Sequence, residues 1–92
     1  MLEKLIEEGI ELESQAEEGT FSKYFDSVLF ETWVAKSMLY LEKSYPESTV
    51  TEKAKLKYKV MDNTTNYEFY QFLLGTLKGI EDLHAASFES FN

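Results

Sequence analysis

The stretch SKYFDSVLFETWVAKSMLYLEKSYP, residues 22–46, decides the fold. Phe25, Val28, Leu29, Trp33, Tyr40 and Leu41 recur at helical spacing and define one broad apolar face. Phe30, Val34 and Met38 form a second face beside it. A helix apolar over that much of its girth sits centrally in a bundle and touches more than one neighbour. Ser22 is the expected N-cap and Asp26 falls in the favoured first turn. Lys43 complements the C-terminal end of the helix dipole, and Pro46 forbids continuation. The spacing predicts a helix over 22–45.

Toward the N-terminus, residues 2–18 carry Leu2, Leu5, Ile6, Ile10 and Ala16 near one side of a helical wheel. Glutamates crowd the remainder, among them Glu7 and Glu11, with Lys4 alone against them. Like charges at this density repel along a helix, so packing of the Leu/Ile stripe has to hold it. Gly19 is the expected left-handed residue that closes the helix.

Toward the C-terminus, residues 46–50 read as a turn, and 51–61 are ambiguous. Ala54, Leu56, Tyr58 and Val60 alternate with Lys53, Lys55, Lys57 and Lys59, which is a strand signature. A strand needs a partner, nothing else in the chain alternates in this way, and an unpaired strand leaves its backbone unsatisfied. A helix is therefore expected over 51–61, with a strand paired to its own copy in a dimer as the alternative. After the turn cluster at 62–66, Thr65 and Glu68 have capping-box spacing. Tyr70, Leu73, Leu74, Leu77 and Ile80 then make an apolar stripe flanked by Phe69, Phe72 and Leu83, and predict a helix over 66–86. Gly75 and Gly79, one turn apart, each weaken that helix by up to about 1 kcal/mol, which suggests close approach of a neighbouring helix backbone. The tail from Ser87 to Asn92 is expected to fray, with Phe88 and Phe91 free to tuck back.

The 92 residues suffice for one small domain, read as an all-α, up-down bundle of three to four helices with the second and fourth as its central pair. With 43% hydrophobic and 15% aromatic residues, the chain has a core to bury and is not a disordered chain, despite a net charge of −8. The absence of cysteine excludes disulfides, a thiol nucleophile and thiolate metal ligation. No apolar run approaches the ~20 residues that span a bilayer, and residues 1–8 do not read as a signal peptide, so a cytoplasmic location is expected.

All nine basic residues are lysine, so the planar fork that grips phosphates and guanine edges is missing. The acidic field also repels nucleic acid at long range, which counts against that class of partner. Locally the balance reverses: residues 51–60 carry a net of +3, leaving −11 on the rest. Lys53, Lys55, Lys57 and Lys59 are either a solvated segment offsetting neighbouring acid or a docking patch.

Catalytic signatures are sparse. The one histidine, His84, lies near the end of the last predicted helix, where a surface position is expected. No Gly-rich phosphate loop and no Gly-x-Ser-x-Gly turn occur. Without arginine, the paired Arg and His motif of the helical HEPN ribonucleases cannot be assembled. Glu81 and His84 form a Glu-x-x-His pair on one helix face, the unit from which di-iron bundles build their sites. A single pair would need a symmetric dimer and borrowed glutamates to complete such a centre. A metal-binding protein finished by dimerisation is thus the alternative to a protein without cofactors. Surface recognition is the reading favoured here, with Trp33, Tyr40, Tyr45, Tyr67 and Tyr70 as possible anchors where they are not core.

The run from Leu2 to Gly9, Trp33, Leu39 to Lys43, and Tyr67 to Ile80 resembles a helical module of bacterial defence-type proteins. In those proteins the module precedes a TIR-like or other nucleotide-binding domain. The likeness covers most of the chain apart from the lysine-rich segment, and brings no catalytic residues with it. It implies a sensing, dimerising or adaptor role. The expectation is a small bacterial or phage-like, non-catalytic protein-interaction module, a homodimer, with Glu7, Glu11 and the four lysines facing partners.

Overall fold

The structure, a computed structural model, describes residues 1–89, and side chains as far as Ala86. The tucking expected of Phe88 and Phe91 lies outside the described side chains. Four helices and one short hairpin follow in order: α1 Leu2–Leu12, a 3₁₀ turn Glu13–Gln15, β1 Glu17–Glu18, β2 Lys23–Tyr24, α2 Val28–Ser44, α3 Thr49–Val60 and α4 Asn66–Glu89. The chain is a small, mostly helical bundle, as its periodicity predicts.

α1 buries Leu5, Ile6, Gly9 and Leu12 and stops well short of residue 18. Its apolar stripe runs out at Leu12, and the following residues find other partners. Glu13 accepts hydrogen bonds from the Tyr67 hydroxyl at 2.8 and 2.9 Å and lies 3.7 Å from Lys23. Glu17 and Glu18 pair antiparallel with Tyr24 and Lys23. Gly19 does not adopt the left-handed conformation expected of it. It sits in the hairpin turn, where its N–H donates to the Ser22 carbonyl at 3.0 Å and a Cβ would come within 2.5 Å of that oxygen. Close approach, and not handedness, requires glycine there.

α2 begins at Val28, six residues after the Ser22 cap that the sequence suggests, and Asp26 lies outside its first turn. The cap is Ser27, whose Oγ accepts from the Phe30 N–H at 3.2 Å. The physical reason is a distant competitor for the backbone. The buried Asn66 side chain accepts from the Phe25 N–H and donates to the Phe25 carbonyl, both at 2.9 Å. Phe25 is thereby held before the helix, and its ring stacks on Phe30 with centroids 4.5 Å apart. Ser22 instead donates its hydroxyl to the Thr64 carbonyl.

α3 is helical, and the strand alternative is not realised within the chain. The Ser48 hydroxyl accepts from the Thr51 N–H at 3.2 Å, and only Thr51 and Ala54 are buried. The turn into α4 is built on Asp62, whose Oδ1 accepts from the Thr64 N–H at 2.9 Å and hydroxyl at 2.7 Å. These donors hold the Asp62 carboxyl below its ordinary value. Thr65 occupies the cap position, its carbonyl accepting from Phe69 N–H, but its hydroxyl accepts from the Asp62 N–H instead of completing a box with Glu68.

The core joins Leu5, Ile6 and Leu12 of α1 to Phe30, Trp33, Val34, Met38 and Leu41 of α2 and Phe69, Tyr70, Leu73 and Leu77 of α4. The expected central pairing of α2 with α4 is corrected, because α1 packs most extensively on α4 and α2 meets α4 less. Gly9 makes this possible. Its missing side chain admits the Trp33 ring, so close that a Cβ would lie 2.7 Å from Cζ2. Trp33 Nε1 donates to the Leu5 carbonyl at 2.8 Å, and the Tyr70 hydroxyl donates to the Gly9 carbonyl at 2.6 Å. Gly75 and Gly79, where a neighbouring backbone was expected, face open space. Val28, Leu29, Leu39 and Leu83 are exposed, as is Ile10.

Candidate interaction surfaces

Twelve residues of α3 place four lysines two apart, and 3.6 residues per turn separates them into two rows. Lys53 and Lys57 lie on one flank, each with its ammonium over the Phe72 ring, 5.3 and 5.5 Å from its centroid. Lys55 and Lys59 lie on the other flank, and Lys55 reaches Glu52 at 3.4 Å. Between the rows, pointing away from the buried Thr51 and Ala54, stand Leu56 and Val60, 66% and 76% exposed. The patch read in the sequence is therefore an apolar ridge with a basic bank on each side. Read as a helix, the segment directs Leu56 and Val60 away from the Ala54 side, but the sequence reading names only the four lysines as its interaction surface.

α1 presents the opposite charge. Glu3, Glu7 and Glu11 recur every four residues along its exposed stripe, with Ile10 beside them at 50% exposure. None of the three carboxylates forms an ion pair among the described residues. Glu8, one step around, is turned to Lys36 at 2.8 Å. α1 and α3 both pack against α2 and α4 and do not touch each other, so the acidic and basic helices occupy opposite corners of the bundle.

Glu81 and His84 share a shallow cleft with Met1, Leu2 and Glu3. Glu81 is half-buried; His84 is exposed, and its Nε2 is hydrogen-bonded to the Tyr45 hydroxyl at 2.8 Å. Among the described residues, no three His, Asp or Glu side chains are grouped so as to hold a metal ion. Among the aromatic anchors considered, Trp33 and Tyr70 are core, while Tyr40, Tyr45 and Tyr67 are half-buried. The most exposed aromatic among the described residues was not anticipated: Phe21, 97% exposed in the turn between β1 and β2. No helix among the described residues is long and apolar enough to cross a membrane. No family model matches the chain, and no curated protein or solved structure matches it.

Proposed function

We propose that the chain is a non-catalytic protein–protein interaction module, an adaptor or regulator of bacterial or phage-like type that works in the cytoplasm. One observation carries this reading: Leu56 and Val60 stand exposed between two lysine rows on a helix that gives only Thr51 and Ala54 to the core. Such a helix contributes little to its own domain and offers an apolar strip with charged rims, the usual anatomy of a recognition patch. The filled interior around Trp33, Tyr70 and Leu77 supports the same reading, since it leaves the outer faces to act. The resemblance to helical modules of defence-type proteins points the same way.

The test is affinity capture from the cells that make the protein, with the wild-type chain and a Leu56→Glu/Val60→Glu variant as baits. Both substitutions are at exposed positions, and circular dichroism checks that the helices persist. A specific protein held by the wild type should fall by about tenfold or more with the variant, the equivalent of losing about 1.4 kcal/mol. Equal capture by both baits overturns the assignment of this face.

A further inference from the structure

We propose that the α3 ridge of one molecule is occupied by the α1 flank of a second copy of this chain, so that copies associate head to tail. The proposal rests on the interaction reading above and adds the identity of the partner.

Three observations carry it. The first is charge: residues 51–60 hold +3 in a chain of −8, so this helix is the region where another copy's acidic surface is attracted rather than repelled. The second is spacing. Glu3, Glu7 and Glu11 repeat every four residues, as do Lys53 with Lys57 and Lys55 with Lys59. Four residues of helix rise about 6 Å in either case, so two helices laid side by side keep carboxylates and ammoniums in phase. Ile10 then stands beside the glutamates where Leu56 and Val60 stand between the lysines, and the three supply a strip that excludes water. The third is placement. The two helices lie at opposite corners and do not touch, so no molecule can satisfy its own ridge.

The same placement sets the symmetry. A two-fold dimer would need both helices on one face, so that each copy gave and received the same contact. With the faces opposed, each copy gives one and receives another, and the assembly grows into chains or closes as a ring. In this proposal a head-to-tail association stands in place of the expected homodimer. Lys53 and Lys57 are already seated over Phe72, which lowers the ordering cost of docking. The net charge of −8 opposes association, and salt screens this repulsion together with the pairing. Charge reversal is therefore a sharper probe than ionic strength.

Sedimentation of the purified chain over a concentration series tests the proposal. The weight-average mass should rise from 10.7 kDa and pass two copies as concentration approaches about 1 mM. Glu7→Lys/Glu11→Lys makes both flanks basic, and Lys53→Glu/Lys57→Glu makes both acidic, so each variant alone should stay at 10.7 kDa. An equimolar mixture of the two should associate again, because each interface then joins opposite charges. Recovery on mixing also shows that neither variant had merely unfolded. A wild-type mass fixed at one copy, growth that ends at two copies, or a mixture that stays monomeric overturns the proposal. If the wild type stays monomeric while Leu56→Glu/Val60→Glu still loses a partner captured from cells, the interaction reading stands and the head-to-tail assembly falls.

Discussion

Asn66 does for Phe25 what a neighbouring strand does for a sheet residue, accepting from its N–H and donating to its carbonyl. Both backbone groups are buried, so losing the amide strands a donor and an acceptor. Asn66→Leu should lower stability by about 2–4 kcal/mol in urea unfolding, well beyond the loss of one exposed hydrogen bond. Tyr70, like Trp33, is a buried side chain whose polar group ties elements together. Burial and the nearby Glu13 push its phenol up to about 12 from the usual 10.0. A raised acid pKa means that the folded state keeps its proton after the unfolded state has lost it. Its contribution is therefore whole below pH 10 and drains away as pH climbs toward 12. Tyr70→Phe should cost about 1 kcal/mol at neutral pH and make unfolding free energy less steep over that alkaline interval.

Glycines separate the helices by what surrounds them. In α1, a Cβ on Gly9 would meet Trp33 Cζ2 at 2.7 Å and Leu74 Cδ1 at 2.9 Å. The indole is a rigid core group and cannot step aside cheaply, so Gly9→Ala should destabilise by about 1–3 kcal/mol. In α4, Gly75 and Gly79 have nothing within 4 Å of the added methyl. Alanine there meets no atom and removes backbone freedom from the unfolded chain, so each substitution should raise stability by about 0.4–1 kcal/mol. Thermal unfolding of the three variants separates the two signs. The spacing of Gly75 and Gly79 singled out the wrong pair, because a sequence shows that a glycine weakens a helix and not what lies across from it.

At the scale of the molecule, stability is concentrated in α1, α2 and the first half of α4. Among the described side chains of α4, the deeply buried ones end at Leu77, with Ile80 and Glu81 half-buried, and the turn from Asp82 to Ala86 is exposed throughout. Amide hydrogen exchange should therefore be slowest at residues 30–41 and 69–77 and faster by orders of magnitude at 83–86. Uniform protection along α4 would contradict this distribution. Most of the helical layout is legible in the sequence: α3 is a helix as expected, and Leu5, Trp33, Tyr70 and Leu77 are buried as their period implies, whereas Ile10 on the Leu5 face and Val28 and Leu29 on the Trp33 face are exposed. The candidate surfaces were legible only as charge, since the placing of Leu56 and Val60 between the lysines depends on the segment being a helix whose Ala54 side is buried.

By itself, the sequence determined that the chain is a bundle of three to four helices and which charges its segments carry. Periodicity and apolar stripes act between residues a few positions apart, and such signals survive in one dimension. The tertiary structure decided where α1 ends and α2 begins, and which helices form the centre. Those outcomes turn on partners far away in the chain. Asn66 competes for the backbone of Phe25 across 41 residues, Tyr67 draws off Glu13 across 54, and the Trp33 ring selects Gly9 as the point of closest approach.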